Sequence, residues 1–384
     1  MPIRPLPCLI LLLGLASVAQ AQEAPSEAEP GDTSAAAEAP DISDAPEEDG
    51  GGADTGTAPV TPAAPESAPA EAADPSCFGR EMLLTRAHYT QPAAPEHAWT
   101  DIYLFDMGAE PDRQALRLTR GALDQSPYDN GPAAWAAEGT RILFHSTRGA
   151  GVNASLYAMD AADADADGLG DGLLYLGADD PELGGPETGP EGRVIFARTG
   201  REGQIQVHVA ELSEGAESLG EPRQVSRGEG LRRAPRFSPD GSRAIYQLET
   251  LSAQGPGRSA LAVLTLETGE EQVLSPEGVR DSDPAFLNAE EVVFARQSGE
   301  AAADLWRATL TGDGLADPVP LTETPELIES RPVPSPDGAC LAWLATDTRL
   351  TPGPATDLVI RDLGSGETRT VTATRDIAGM AWRP

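Results

Sequence analysis

The sequence predicts an all-β fold, a six-bladed β-propeller closed by its C-terminal strand. Three observations predict this fold. The tetrapeptide Ser-Pro-Asp-Gly occurs twice, at 238–241 and at 335–338. The position of the residue before it recurs through the chain at intervals of 48 to 53 residues. Each interval contains short apolar runs bounded by Gly, Pro and Asp, as buried strands do, and no segment has a helical period.

The recurring position is an anchor for six repeats. It is occupied in turn by Trp135, Thr188, Phe237, Phe286, Pro334 and Trp382. A period of this size, sustained over five intervals, indicates blades, solenoids or arrays.

Each repeat contains four predicted strands, which is the content of a propeller blade. The anchor lies in the first strand. The second strand follows the turn, at 141–146, 193–198, 243–248, 291–296 and 340–345. The third lies at 101–106, 155–160, 260–266, 304–310 and 357–362. The fourth is short and ends in Leu-Thr or Val-Ser, at 117–119, 224–226 and 320–322.

The two ends of the repeat region complete each other. Residues 80–85 read as a second strand without a first strand, and 377–384 read as a first strand with nothing after it. We therefore expect the C-terminal strand to complete the first blade and leave no open edge. The predicted blades are 80–123 with 377–384, 128–180, 181–229, 230–278, 279–327 and 328–375.

The repeat resembles the TolB-type WD40-like propeller repeat. The shared pattern is Pro-x-aromatic-Ser-Pro-Asp-Gly, an apolar strand, Asp-Ile-Tyr and then Leu-Thr, matched at 235–248, 332–345, 100–119 and 133–160. The resemblance covers 76–384 and implies a periplasmic envelope protein that binds a protein or peptide at the channel mouth. TolB carries an α/β domain before its propeller, whereas this chain has an acidic segment there.

Two segments precede the predicted propeller. Residues 1–21 read as a secretory signal peptide, with Arg4 before an apolar run and a small-residue cleavage site ending at Ala21. Residues 22–75 hold 14 acidic and no basic residues, so we expect a disordered acidic tether. These features predict a periplasmic or secreted protein with no membrane insertion after cleavage. We expect a monomer, and the net charge of −35 argues against nucleic acid and anionic lipid as partners.

One loop has the oxygen-ligand pattern of a calcium site. Residues 163–171 place Asp163, Asp165 and Asp167 at alternate positions, a Gly next, then the Leu169 carbonyl and Asp171. Residue 174 is Leu, so the loop is no EF-hand and resembles the shorter calcium hairpins of integrin-like propellers. A structural Ca²⁺ ion is the prediction, and an acidic low-complexity insert is the alternative.

Two cysteines remain after signal cleavage, Cys77 and Cys340. An exported pair permits a disulfide, and these two fall in the first and sixth predicted blades, which are neighbours in the ring. Two separate thiols are the alternative.

Four arginines lie at or just after predicted second strands: Arg86, Arg148, Arg198 and Arg296. The loops there share a face with the connections between blades, where propellers bind ligands. The arginines could bind an acidic segment of an envelope protein or peptide. Ion pairs with the chain's own surplus carboxylates are the alternative.

No catalytic pattern is evident in the sequence. A Gly-x-Ser-x-Gly elbow, an HExxH motif and a phosphate-binding loop are all missing. The predicted function is therefore binding without turnover, although six-bladed propellers also include hydrolases and lyases of sugars or lactones, which stand as the alternative.

Overall fold

The fold is all-β in the part of the chain that can be described. A computed structural model describes residues 76–89, 98–111, 113–121, 128–148, 154–163, 170–177, 185–200, 203–250, 257–299, 301–347, 349, 355–371 and 376–384. The strands in these ranges fall into six four-stranded sets that match the six sequence repeats. We number the sets as repeats 1 to 6.

Strands β1 to β24 follow in chain order, and repeat 1 takes its first strand from the C-terminus. Repeat 1 consists of β1 (Glu81–Tyr89), β2 (Ala98–Asp106), β3 (Ala115–Arg117) and β24 (Ile377–Trp382). Repeat 2 consists of β4 (Asn130–Ala136), β5 (Arg141–Ser146), β6 (Ser155–Asp160) and β7 (Leu174–Gly177). Repeat 3 consists of β8 (Glu187–Thr188), β9 (Arg193–Thr199), β10 (Ile205–Glu211) and β11 (Arg223–Gln224).

The remaining three repeats have the same order without a chain break. Repeat 4 consists of β12 (Leu231–Phe237), β13 (Arg243–Glu249), β14 (Ser259–Thr265) and β15 (Glu271–Val273). Repeat 5 consists of β16 (Arg280–Phe286), β17 (Glu291–Gln297), β18 (Asp304–Thr311) and β19 (Gly314–Pro320). Repeat 6 consists of β20 (Ile328–Pro334), β21 (Cys340–Asp347), β22 (Ala355–Asp362) and β23 (Thr368–Val371).

Neighbouring strands within a repeat pair antiparallel, and β24 pairs with β1 from Met82 opposite Trp382 to Arg86 opposite Ile377. The expected pairing of the C-terminal strand with the first repeat is therefore present. Repeats 3 and 4 are further joined by one parallel pair, Ile205 opposite Leu231.

The core consists of apolar layers between consecutive repeats. Six buried clusters join repeats 1 and 2, 2 and 3, 3 and 4, 4 and 5, 5 and 6, and 6 and 1. Second strands supply both layers because successive side chains point to opposite faces. In β5, for example, Phe144 packs toward repeat 1 and Leu143 toward repeat 3.

The Ser-Pro-Asp-Gly turn is held by its own side chains. Ser238 Oγ donates to Asp240 Oδ1 at 2.6 Å and accepts from the Arg243 N–H at 2.9 Å, and Gly241 has φ +66°. The second copy repeats the Ser-to-Asp bond, from Ser335 Oγ to Asp337 Oδ1 at 2.6 Å. The motif recurs because Ser, Asp and a left-handed Gly are all needed to close this turn.

The Leu-Thr and Val-Ser dipeptides fasten the outer strand to the third strand. In repeat 1 the Leu118 N–H donates to the Ile102 carbonyl at 2.8 Å, and Thr119 Oγ1 accepts from the Ile102 N–H at 2.9 Å. The same pair of bonds is made in repeats 3, 4 and 5, by Val225 and Ser226, Leu274 and Ser275, and Leu321 and Thr322. A hydroxyl residue is required because it satisfies a third-strand N–H that a short outer strand leaves unpaired.

Candidate functional site

A buried polar residue is the first or second residue of the first strand in four repeats. Asn130, Arg232, Asp281 and Glu329 each lie five residues before the anchor and are all at most 2% exposed. Each is opposite a second-strand residue, which is Ser146, Leu248, Arg296 and Ala345 respectively. We call the four first-strand residues the polar rung. They lie at the end of the repeats where second strands lead into third strands.

Two residues of the polar rung already form ion pairs within the chain. Arg232 Nε lies 2.7 Å from Glu271 Oε2. Asp281 accepts two bonds from Arg296, with Nε to Oδ1 at 2.7 Å and Nη2 to Oδ2 at 2.9 Å. A bidentate pair of this kind uses most of the hydrogen-bonding capacity of both side chains.

The polar rung residue of repeat 2 links two repeats instead. Asn130 Nδ2 donates to Asp101 Oδ1 of repeat 1 at 3.0 Å. Its Oδ1 accepts from Ser146 Oγ at 2.9 Å and from Arg148 Nη2 at 2.6 Å. The amide therefore separates the carboxylate of Asp101 from the guanidinium of Arg148.

Asp101, on the third strand β2, is fully buried and accepts hydrogen bonds at both carboxylate oxygens. Thr119 Oγ1 and the Gly121 N–H also donate to Oδ1, at 2.7 and 2.8 Å, and Arg117 Nη2 pairs with Oδ2. These donors supply the hydrogen bonds that a buried carboxylate needs.

Arg148 is a half-buried cation with neutral neighbours. Its guanidinium carbon lies 5.4, 5.3 and 5.1 Å from the ring centroids of Tyr128, Phe144 and Tyr157. Within the described ranges, no carboxylate lies within salt-bridge distance of it. Burial lowers the pKa of Arg148, with partial opposition from the two tyrosines and Asp101. Such a group binds an anion favourably, because an anion would restore the electrostatic stabilisation that burial removes.

Arg148 opens onto a cavity of about 250 Å³ between repeats 1 and 2. The cavity combines polar and apolar walls. Its lining residues are Leu118, Thr119, Arg120, Tyr128, Arg148, Met159, Gly170 and Leu173. A carboxylate attached to an apolar group matches this lining.

The other three predicted arginines have different surroundings. Arg86, Arg198 and Arg296 lie near the ends of their second strands, opposite Asp101, Gln206 and Asp304 of their third strands respectively. Arg86 lies over the Tyr103 ring at 5.1 Å, and Arg198 is half-buried beside His208. Arg296 is buried against Asp281. For this arginine, the alternative of an ion pair with one of the chain's own carboxylates is therefore correct. Arg148 lies two positions further along its strand.

The predicted calcium loop lies mostly outside the described residues. Asp165, Asp167 and Leu169 fall there, whereas Asp163 and Asp171 can be placed. The carbonyl oxygen of Asp171 accepts from the Asp160 N–H at 2.8 Å, so the end of the loop continues the hairpin between β6 and β7. Among the residues with a described position, no group of three or more His, Cys, Asp or Glu is arranged to hold a metal.

Cys77 and Cys340 are bonded to each other, with their Cα atoms 5.7 Å apart. Both are fully buried in the apolar layer between repeats 6 and 1. The bond therefore spans the junction at which β24 completes repeat 1.

The polar rung was not identified from the sequence, although a signal for it exists. Its members share a fixed offset of five residues before the anchor, but they differ in charge and size. An alignment by residue type does not group Asn, Arg, Asp and Glu, whereas an alignment by position does. Asp101 was noticed only as the first residue of the Asp-Ile-Tyr pattern.

Comparison with solved structures identifies the fold as a TolB-type β-propeller. TolB from Acinetobacter baumannii is 16% identical, with a TM-score of 0.57 over 81% of this chain and 68% of that one. A protein assigned as TolB from Agrobacterium tumefaciens is 14% identical, with a TM-score of 0.50 over 79% of this chain and 99% of that one.

An enzyme structure shares the fold as well. A puromycin hydrolase is 18% identical, with a TM-score of 0.50 over 76% of this chain but only 43% of that one. No protein-family model and no curated protein matches the sequence. In the described part of the chain, no helix is long and apolar enough to cross a membrane.

Proposed function

We propose that the chain is an exported, six-bladed TolB-type propeller that binds a protein or peptide through the face carrying the second-to-third strand loops. Its parts are a signal peptide at 1–21, an acidic tether at 22–75 and the propeller at 76–384. A partner carboxylate, from an acidic side chain or a free C-terminus, would bind Arg148 in the cavity between repeats 1 and 2.

One observation carries this proposal. Arg148 is half-buried and holds only neutral hydrogen-bond partners, and it lines a cavity large enough for a side chain. The cation stands out because acidic residues outnumber basic ones by 62 to 27 in the whole chain. Among the described residues no carboxylate pairs with this arginine, which would leave it available to an external one.

Peptide selection followed by measured affinity tests the proposal. A random phage-displayed library is selected on the wild-type protein, and the enriched peptides are titrated by fluorescence anisotropy. We expect enrichment of Asp, Glu or a free carboxylate, and a loss of about tenfold or more in affinity for Arg148→Gln. Arg369→Gln is the matched control, since Arg369 is an exposed arginine on the outer strand β23.

Two further readouts decide the outcome. Affinity should fall as salt rises, because the contact is between opposite charges. Selected peptides without acidic groups, or equal affinity for Arg148→Gln and Arg369→Gln, would overturn the proposal. An unchanged melting temperature of Arg148→Gln would show that the loss of affinity is not a loss of fold.

A propeller enzyme acting on a sugar or lactone is the second candidate, favoured by a titratable pair in repeat 1. His88 Nε2 lies 3.1 Å from the Tyr103 hydroxyl and 3.9 Å from Asp101 Oδ2. Burial, followed by the charge of Arg117, lowers the pKa of His88, so a neutral imidazole is present at neutral pH. Hydrolysis or elimination of such substrates that is lost in His88→Ala would establish this function.

A further inference from the structure

The polar rung residue of repeat 6 is a buried acid without a counter-ion. Glu329 is 2% exposed, and its Oε1 accepts from Trp343 Nε1 at 3.0 Å. Its Oε2 is buried without a well-aligned hydrogen bond, and the groups near the carboxyl besides Trp343 are the neutral hydroxyls of Thr322 and Thr324. In repeat 5 the corresponding acid, Asp281, faces Arg296, but Glu329 faces Ala345 across the strands. The arginine that neutralises one acid is thus replaced by alanine beside the other.

The interface between repeats 5 and 6 is built like the interface between repeats 1 and 2. Asp304 and Asp101 both lie on third strands opposite a second-strand arginine, and Asp304 Oδ1 accepts from the Thr324 N–H at 2.9 Å, as Asp101 accepts from Gly121. The Thr322 hydroxyl accepts from the Leu305 N–H, as the Thr119 hydroxyl accepts from the Ile102 N–H. Glu329 consequently occupies the place of the amide that donates to Asp101.

The backbone fixes Glu329 beside Asp304. The Glu329 N–H donates to the carbonyl oxygen of Ala303, the residue before Asp304, at 2.9 Å. Thr324, whose backbone N–H binds Asp304, also has its buried hydroxyl beside the Glu329 carboxyl. Two acids therefore occupy the positions that hold an acid and an amide at the interface of repeats 1 and 2.

Among the other charged groups on the elements packed against Glu329, Arg280 on β16 and the exposed Arg331 on β20 are not among the influences on its pKa, and Arg307 on β18 pairs with Glu291 on β17. On β16 and β17, Asp281 pairs with Arg296, and on β16 Asp283 accepts from a backbone N–H of β20. On β21, Asp347 pairs with Arg349. Strand β24 contains no titratable residue. Asp304 on β18 is the charged group whose field acts on Glu329.

We propose that Glu329 takes up one proton from solvent and shares it with Asp304, so that the contact between repeats 5 and 6 is pH-sensitive. The protonated carboxyl then donates an O–H where Asn130 donates an N–H. Loss of that proton leaves two facing carboxylates without a cation between them, and their repulsion loosens the contact.

The direction of the pH effect follows from burial. Burial raises the pKa of Glu329, with a further rise from Asp304 and opposition from Thr322, Trp343 and Thr324. Because the folded state holds the proton more tightly than the unfolded chain does, folding takes up a proton. This contribution to stability is present below the pKa of the unfolded glutamate and is lost as pH rises through the folded pKa.

The proposal is tested by measuring the melting temperatures of wild type, Glu329→Gln and Glu290→Gln at about pH 5 and about pH 8. Glutamine copies the protonated acid and does not titrate. We expect Glu329→Gln to melt roughly 2–4 °C or more above wild type at the higher pH, with the difference shrinking at the lower pH. Glu290 is exposed, so its variant should follow wild type at both.

Two further variants keep the test decisive if Glu329→Gln does not fold. Asp304→Asn should also reduce the loss of stability at high pH, since it removes the second acid. Ala345→Arg, which copies the pair made by Asp281, should let Glu329 ionise and abolish its protonated-carboxyl band in infrared difference spectra. Parallel pH profiles for wild type, Glu329→Gln and Asp304→Asn, or an infrared spectrum without a band that depends on Glu329, would overturn the proposal.

Discussion

The indole Nε1 of Trp382 donates a hydrogen bond to the carbonyl oxygen of Val333, 2.9 Å away. Trp382 also pairs across the strands with Met82, so it touches repeat 6 and repeat 1 at once. Trp135 makes the corresponding bond one repeat later, to the Ala381 carbonyl at 3.2 Å. The C-terminal strand is therefore bonded through side chains to the repeat before it and the repeat after it.

Removing the Trp382 side chain should weaken the junction of repeats 6 and 1. We expect Trp382→Ala to lower the free energy of unfolding by about 3–5 kcal/mol, because a large buried ring and its hydrogen bond are lost. Urea denaturation measures the change. Val273→Ala, at a 44% exposed site on an outer strand, should change stability by less than about 0.5 kcal/mol. Equal effects of the two substitutions would contradict the importance of this junction.

Reducing the Cys77–Cys340 bond should destabilise the same junction. The two residues are 263 positions apart, so the bond restricts a very long loop of the unfolded chain. We expect reductant, or the double substitution to Ser, to cost about 2–5 kcal/mol of unfolding free energy. Melting curves with and without dithiothreitol measure this, and identical curves would show that the cross-link contributes nothing.

The two Ser-Pro-Asp-Gly turns should lose their contribution in acid. Hydrogen bonds from Ser238 and Ser242 lower the pKa of Asp240 to about 2. The Arg80 guanidinium and Ser335 hold the pKa of Asp337 well below its usual range. Since these carboxylates lose protons more readily when folded, their stabilisation is present above about pH 4 and disappears as pH falls toward the folded pKa.

Asn substitutions in these turns separate the two contributions. Asp337→Asn should lower the melting temperature at neutral pH more than Asp240→Asn, because Asp337 also joins repeats 6 and 1 through Arg80 at 2.7 Å. Both differences from wild type should shrink in acid. A constant difference across the pH range would contradict the assigned ionisation.

His145 offers a stabilising substitution. It is fully buried, neither ring nitrogen has a hydrogen-bond partner in the described structure, and burial lowers its pKa to about 3. The corresponding residue of repeat 6 is Leu344. His145→Leu should stabilise by about 1–2 kcal/mol at neutral pH by removing unpaired polar atoms. The gain should increase from pH 6.5 downward, because the unfolded histidine takes up a proton that the folded one does not. A lower melting temperature at all pH values would refute this account.

The predicted calcium loop can be tested without knowledge of its geometry. Calcium should raise the melting temperature of the wild-type protein, because the acidic residues at 163, 165, 167 and 171 repel one another without a cation. Asp165→Ala should remove the response. Melting curves that are the same in calcium and in chelator would eliminate the site.

The strand pattern and the closing pair of strands were predictable because they depend on local signals with a fixed period. Apolar runs, Pro and Gly mark each strand regardless of what the other repeats contain. Repeats 4 and 6, which carry the two Ser-Pro-Asp-Gly turns, match the predicted second and third strands within a few residues.

The candidate site was only partly predictable because its partners come from different repeats. Arg148 was singled out as a cation on a binding face, but its separation from Asp101 by Asn130 depends on the packing of repeat 1 on repeat 2. Arg296 looks the same as Arg198 in sequence, yet only Arg296 has an acid opposite it on the first strand. Which charged residues face each other across two strands depends on the strand register, and the register cannot be read from the composition.

The pairing of β1 with β24 has a mechanical consequence. The two strands run antiparallel, with Met82 opposite Trp382, so the start of β1 and the end of β24 lie side by side. A force that pulls these two chain ends apart therefore acts first on the hydrogen bonds at that end of the strand pair. The Cys77–Cys340 bond lies outside that end and connects residue 77 to β21. Tension arriving from the N-terminal side of Ser76 is therefore diverted into repeat 6 before it reaches the first hydrogen bond of β1. The propeller can resist traction on its leading segment as long as that cross-link is oxidised.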